Sequence, residues 1–360
     1  MSEQAIRRIP VTVLTGYLGA GKTTLLNRVL TENHGKKYAV IVNEFGEIGI
    51  DNDLIVGADE EIFEMNNGCI CCTVRGDLIR IIGGLLKRRD KFDAILVETT
   101  GLADPAPVAQ TFFTDDDIKR KTSLDSIVAV IDAKHIEQRL ADSKEAKEQI
   151  AFADIVLLNK TDLVAADDVR RIEARVRSLN PLAKIYHTSR CGIELDKILD
   201  KGAFDLERAL ELDPCFLHGH AFDPSHNHDH GHEHHGHDHG HDHEHEHDDH
   251  ADPAAAPNPL HDQDIHSISL TTDTPLNAAK FDAWISDLLL SDGQNILRTK
   301  GILNMSGNDK RFVFQAVHMV SEGSFTGPWP GKDKRRSRLV FIGRKLDEAA
   351  LGKGFNGCVA

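Results

Sequence analysis

Short apolar runs rich in β-branched residues punctuate the first half of the chain, and each gives way to a loop of glycine, threonine or asparagine. Val11-Thr12-Val13-Leu14 is the first; a glycine loop follows, then Thr24-Leu25-Leu26-Asn27-Arg28-Val29-Leu30, whose apolar positions repeat at helical spacing. Runs at 92–97, 155–158 and 183–186 repeat the strand pattern. Apolar strands alternating with helices mark a mostly parallel sheet covered on both faces, so an α/β domain is predicted. From residue 265 the rhythm changes. Residues 265–270 alternate apolar and polar, 275–290 have helical spacing that puts Phe281, Trp284, Ile285 and Leu288 on one side, and 295–303, 311–319 and 338–342 read as strands. A helix packed on an antiparallel sheet is expected there, as a smaller α+β domain.

Composition places the boundary between the two. Residues 218–250 hold 15 of the 21 histidines and nine Asp or Glu, with no Lys or Arg, and 251–260 add Pro and Ala. Such a stretch has too little apolar surface to offset its ordering entropy and is expected to be a flexible linker. The expected organisation is one domain over 1–217, the linker over 218–260 and a second domain over 261–360. The linker's acids carry nine of the fifteen net negative charges, which leaves the rest unremarkable, so nucleic acid is not an expected partner. Its alternating imidazoles and carboxylates, as in His237-Asp238-His239 and His241-Asp242-His243-Glu244-His245, suit Zn²⁺, Ni²⁺ or Co²⁺ at neutral pH. The tract reads either as a metal reservoir or as a solvated acidic spacer. No apolar run approaches membrane-spanning length, and the N-terminus lacks the apolar stretch of a signal peptide. Together with clustered thiols, this points to a cytoplasmic protein without a membrane partner.

The glycine loop carries the most specific chemistry. Gly16 to Thr23 read G-Y-L-G-A-G-K-T, so Gly16, Gly21, Lys22 and Thr23 fill every fixed position of the phosphate-binding pattern G-x-x-x-x-G-K-[ST]. Gly16, Gly19 and Gly21 let consecutive N–H groups point inward, and the helix that begins near Lys22 adds its positive end. Lys22 is expected to reach the β- and γ-phosphates, and the Thr23 hydroxyl to take one site on Mg²⁺. Farther along, Asn159-Lys160-Thr161-Asp162 follows a strand and matches the N-K-x-D pattern of GTPases. The Asp162 carboxylate is suited to the paired N1–H and N2–H₂ donors of guanine, which adenine lacks. Asn159 would brace the loop or contact the purine, the Lys160 stem would cover the base, and the backbone of His187-Thr188-Ser189-Arg190 would close over it.

Glu98-Thr99-Thr100-Gly101 stands at the C-terminal end of the 92–97 strand, where parallel sheets bind ligands. Glu98 is the candidate for Mg²⁺ or its water, and the Gly101 N–H for sensing the γ-phosphate. Asn43-Glu44-Phe45-Gly46-Glu47-Ile48-Gly49-Ile50-Asp51 suits a segment that orders around γ-phosphate and Mg²⁺, with Asp51 as a second metal contact. No glutamine is placed to orient water, so slow intrinsic turnover is expected. Cys69-Ile70-Cys71-Cys72 groups three of the six cysteines. In an extended stretch Cys69 and Cys71 share a face, and a turn would bring in Cys72. Thiolates favour Zn²⁺ or Cu⁺ over Mg²⁺, and two or three sulfurs leave a position for Glu44, Glu47, a histidine or a partner. Buried thiols, a disulfide and a redox pair are the alternatives. Cys191, Cys215 and Cys358 read as unremarkable, and the basic run 332–338 as a solvated turn or a contact for phosphate or client.

Taken together, the phosphate loop, N-K-x-D, E-T-T-G, N-E-F-G-E-I-G-I-D and above all N-G-C-I-C-C resemble the CobW-like family of metal-handling GTPases over nearly the whole chain. The resemblance implies a P-loop GTPase domain followed by a smaller C-terminal domain, and a cycle in which GTP hydrolysis is coupled to delivery of a metal, commonly zinc, to apo-forms of client metalloproteins. It carries nucleotide roles to Gly16 through Thr24, including Ala20 and Thr24, and to Glu98 and Asn159 through Asp162; metal roles go to Cys69, Cys71 and Cys72. A client-docking extension seen ahead of the G domain in some relatives is not expected, since about ten residues precede the first strand. Zinc is the expected cargo, with cobalt for cobalamin synthesis, a histidine-rich metal store and a redox-sensing GTPase as rivals. A homo-oligomer is compatible with the pattern.

Overall fold

The computed structural model describes residues 8–43, 62–65, 72–204, 265–329 and 335–360. Seven strands form the first sheet: β1 (Ile9–Thr15), β2 (Tyr38–Asn43), β3 (Ile62–Met65), β4 (Ala94–Glu98), β5 (Thr122–Asp132), β6 (Ile155–Asn159) and β7 (Lys184–His187). Their order is β3-β2-β4-β1-β5-β6-β7 and every neighbouring pair is parallel. Parallel strands need crossovers. The helices α1 (Lys22–Thr31), α2 (Cys72–Leu86), α3 (Ala106–Thr114), α4 (Asp116–Lys121), α5 (Ile136–Asp142), α6 (Lys144–Phe152) and α7 (Ala166–Leu179) lie along these connections. Alternate strand residues sort to the two faces. Val11, Val13, Ile95 and Val97 join a core with Leu78 and Ile82 of α2, Ala109 and Phe112 of α3 and Ile150 of α6. Leu14, Leu96, Val128 and Leu157 meet Leu25, Leu26 and Val29 of α1 on the other face.

The second sheet contains β8 (Ile265–Thr272), β9 (Ile296–Asn304), β10 (Lys310–Val317), β11 (Val320–Pro328) and β12 (Ser337–Arg344), ordered β11-β10-β9-β12-β8 and antiparallel throughout. Its outer face packs Ile268, Phe314 and Phe341 against Phe281 and Ile285 of α8 (Ala278–Asp292) and Phe355 of α9 (Glu348–Gly357). Its inner face adds Ile302, Val313, Val317 and Ile342 to the core of the first domain. Two expectations are refined here. The run 311–319 is not one strand: His318, at φ 52°, and the exposed Met319 turn the chain into β11, an edge strand whose Ser, Glu and Gly residues give little alternation to detect. The helix expected from 275 starts at Ala278, because the Asn277 side chain caps it by accepting the Lys280 N–H at 3.1 Å.

The two sheets are joined through one buried ionic cluster. Asp154, just ahead of β6, takes Lys300 Nζ at 2.9 Å and the Arg298 guanidinium on the same oxygen, and its other oxygen accepts the Ile127 N–H at 2.9 Å. Arg298 also donates to the Phe152 carbonyl and Lys300 to the Ala203 carbonyl at 3.0 Å, while the Phe204 ring lies 5.0 Å from the guanidinium. All three charged side chains are buried. Burial alone would raise the Asp154 carboxyl; the Arg298 and Lys300 charges overcome it and hold the group below the usual carboxylate range.

Removing one member of such a cluster strands the others in low dielectric. Asp154→Asn is expected to lower the unfolding free energy by about 3–5 kcal/mol in urea titration; a loss under about 1 kcal/mol would mean the cations find other partners. Because the folded-state value is depressed, the cluster's contribution is full above the unfolded carboxylate value near ~4 and is lost as pH falls through the folded value.

Candidate nucleotide site

The site forms at the C-terminal edge of β1, where β4 lies on one side and β5 on the other. Gly16, Gly19 and Gly21 all take positive φ, which curls the loop, and α1 begins at Lys22 as expected. Gly21 cannot be replaced without disturbance: at φ 119° a Cβ would stand 2.6 Å from Asn159 Nδ2 and 3.2 Å from Cys191 Sγ. Lys22 Nζ donates to the Gly16 carbonyl at 2.8 Å, which places the cation against the loop's own backbone. Ala20 is buried, Thr23 half-buried and Thr24 exposed.

Asn159 braces the loop, the first of its two expected roles. Its Nδ2 donates to the Ala20 carbonyl at 2.9 Å, and its Oδ1 accepts from Cys191 N at 2.8 Å and Thr188 Oγ1 at 3.1 Å. Lys160, left-handed at φ 61°, stretches its ammonium between the Gly19 carbonyl and Asp132 Oδ2, each at 2.8 Å. Its stem is thereby fixed across the loop. Asp162 stands exposed in the 3₁₀ turn Thr161–Leu163, and that turn is tied to the following loop because Thr161 N and Oγ1 both donate to the Thr188 carbonyl. Ser189 is exposed beside it.

On the other flank, Glu98 ends β4 in register with Leu14 and is buried. Thr99 Oγ1 donates to Thr15 Oγ1 at 3.0 Å and its N–H to the Leu14 carbonyl at 2.9 Å, so the E-T-T-G turn is stitched to the end of β1. Gly101 touches the phosphate loop so closely that a Cβ there would meet Leu18 N at 2.6 Å. Thr23, at the start of α1, and Glu98, at the end of β4, are the oxygen donors here that would hold a Mg²⁺. It would neutralise charge on the phosphates.

Three residues were not singled out from sequence. Asp132, the last residue of β5, holds Lys160 and the His135 ring (2.9 Å); burial raises its carboxyl, and the Lys160 and His135 hydrogen bonds bring it below the ordinary value. An acid closing a strand in the same sheet was the available signal. Cys191, expected to be unremarkable, is fully buried under the phosphate loop, with its thiol donating to the Gly21 carbonyl at 3.4 Å and pushed by burial up to about 11. Gln149 of α6 is buried and donates to the Gly101 carbonyl at 3.0 Å.

Residues 10–187 match the family model for the CobW/HypB/UreG nucleotide-binding domain, and 265–359 match the cobalamin synthesis protein CobW C-terminal domain. The zinc chaperone YjiA of Escherichia coli is 33% identical over 97% of this chain and 98% of its own length. Zinc-regulated GTPase metalloprotein activator 1 of Schizosaccharomyces pombe is 34% identical over 94% and 83%, and the zinc chaperone CobW of Pseudomonas aeruginosa 33% identical over 99% and 93%. The chain belongs to the CobW family. Its fold also matches the crystal structure of zinc(II)-bound YjiA GTPase from E. coli, with a TM-score of 0.70 at 27% identity over 98% of this chain and 100% of that one. A zinc(II)-bound triple mutant of YjiA gives 0.72 at 28% identity, with the same coverage.

Within this CobW-family chain, Cys69, Cys71, Glu44, Glu47 and Asp51 lie outside the described residues, as do the histidine tract and Lys332 to Lys334. Cys72 is the first residue of α2. Among the described residues no group of three His, Cys, Asp or Glu is placed to hold a metal. Arg335 and Arg336, from the basic run, pair with Asp309 (2.8 Å) and Asp273 (3.1 Å) within the second domain, as a solvated turn would. No helix among the described residues is long and apolar enough to cross a membrane.

If Asp162 reads both guanine donors, inosine triphosphate, which lacks the 2-amino group, should bind about tenfold more weakly than GTP. In Asp162→Ala both should weaken and the gap should close in equilibrium titrations; a gap that persists would place base recognition elsewhere.

Proposed function

We propose that this CobW-family GTPase carries zinc on its Cys69-Ile70-Cys71-Cys72 motif and passes it to apo-forms of client metalloproteins in a GTP-dependent cycle. The single observation that carries the reading is the helix pair behind the site. Helix α2, headed by Cys72, packs on α3, which begins at Ala106 with four residues between it and the E-T-T-G turn, and Leu78, Ile82, Ala109 and Phe112 share one core cluster. A displacement of the turn by the γ-phosphate is therefore transmitted, through well-packed side chains, to the segment that bears the thiolates. Relatives named as zinc chaperones, 33% identical over nearly the full chain, support zinc as the cargo.

In this reading Lys22 and the loop N–H groups bind the β- and γ-phosphates, Thr23, Glu98 and Asp51 supply oxygen donors for Mg²⁺, and Asp162 selects guanine. Glu44 or Glu47 completes the thiolate set, which leaves an exchangeable position for a client ligand. Differential zinc affinity between nucleotide states is what drives transfer.

The test is zinc affinity by chelator competition with no nucleotide, with GDP and with a non-hydrolysable GTP analogue. The three values should differ by at least about fivefold; three equal values exclude coupling. Replacing Cys69 and Cys71 with Ser should abolish tight zinc binding and leave GDP affinity within about twofold. Tight binding that survives puts the site elsewhere, with the histidine tract the next place to look. Cobalt titrated the same way separates zinc from cobalt as cargo.

A further inference from the structure

One buried amide grips the turn that follows β4. Gln149 Nε2 donates to the Gly101 carbonyl at 3.0 Å and to the Ala103 carbonyl at 3.3 Å, and the side chain is almost wholly buried. The same turn lies against the phosphate loop at Leu18 and contains a hydroxyl, Thr100 Oγ1, that is buried without a hydrogen-bond partner among the described residues. The turn has one internal backbone bond, Ala103 N to the Thr100 carbonyl at 3.1 Å, and Gln149 adds a clamp from outside on two further carbonyls.

The clamp sits on a helix that the other domain contacts at its middle and at its C-terminal end. Next to Gln149, Glu148 pairs with Arg344 at the end of β12, and both are largely shielded from solvent. At the C-terminal end of α6, Arg298 of β9 donates to the Phe152 carbonyl and pairs with Asp154. Helix α6 also packs directly on β8 and β9. The C-terminal sheet therefore fixes the position of the helix that fixes the Gly101 peptide.

We infer that Gln149 is a positioning residue for the γ-phosphate-sensing turn, and that the C-terminal domain sets the GTP response of the G domain through the Arg344–Glu148 pair and helix α6. The inference rests on the reading of residues 98–101 as that turn. By holding the Gly101 and Ala103 carbonyls, Gln149 fixes the turn in which Ala103 N donates to the Thr100 carbonyl at 3.1 Å, and that carbonyl shares its peptide plane with the Gly101 N–H that a γ-phosphate would accept from. GDP, which has no γ-phosphate, is bound without that contact. Loss of the clamp thus weakens GTP binding and leaves GDP binding alone, whereas loss of a merely structural glutamine weakens both.

The test uses the full-length protein and its Gln149→Met, Arg344→Gln and double variants, titrated with GDP and with GTPγS. Gln149→Met should weaken GTPγS by about tenfold, with GDP changed less than about twofold. Arg344→Gln, at the domain boundary, should act in the same direction by about threefold, and the double variant should match Gln149→Met alone. Parallel losses for both nucleotides, or an unchanged ratio, would overturn the role of Gln149; an unaffected Arg344→Gln would overturn the domain link, and that variant alone decides if Gln149→Met fails to fold. Hydrogen exchange of residues 98–105 in the wild type separates the two layers. Equal protection with GDP and GTPγS defeats the reading of the turn itself; a wild-type difference that persists undiminished in both variants defeats only the inference.

Discussion

A single buried carboxamide organises the nucleotide edge of this protein. Asn159 ends β6, and its side chain reaches the phosphate loop at Ala20, the loop after β7 at Thr188 and the backbone of Cys191. The phosphate loop, the end of β6 and the loop after β7 therefore share one hydrogen-bonding centre, and each bond is shielded from water by burial. This arrangement explains why Gly21 must lack a side chain, why Cys191 lies beneath the loop, and why Lys160, the next residue, is left-handed and stretched over Gly19. The phosphate loop and the N-K-x-D loop are thus two sides of one braced unit.

The second constraint acts between domains. Asp154 stands only five residues before Asn159, at the other end of β6, and is held by Arg298 and Lys300 of the C-terminal sheet. A buried ionic cluster adds little net stability compared with a well-packed apolar one, but separating its partners leaves buried charges uncompensated. Strand β6 thus carries the domain contact at its start and the guanine motif at its end, and α6, just ahead of it, carries the contact to the E-T-T-G turn. The C-terminal sheet supports both nucleotide loops from behind rather than forming a separate module.

Much of this was legible in the residues. The phosphate loop, N-K-x-D and the strands bearing them have local signatures: glycines at fixed spacing, β-branched runs and strand-end polar residues. The helix over 278–292 and most of the antiparallel sheet likewise follow from alternation. What was hidden is non-local. Gln149 and Asp132 drew no notice in the sequence and Cys191 was one scattered thiol; only tertiary packing brings each within bonding distance of a loop. Strand β11 escaped because an exposed edge strand has no apolar face to betray it. The helix start at Cys72 also tells something that spacing could not, since it ties the cysteine motif to α2 and hence to α3.

The central claim is that thiolate metal binding and the terminal phosphate share a free-energy coupling, and reciprocity gives it a direct test. GTP-analogue affinity should be measured in zinc-buffered and zinc-free solution, with GDP alongside. The account predicts that zinc shifts analogue affinity relative to GDP affinity by the factor that the analogue and GDP impose on zinc. Analogue and GDP affinities that ignore zinc, in a protein with its cysteines reduced and zinc bound, would contradict it.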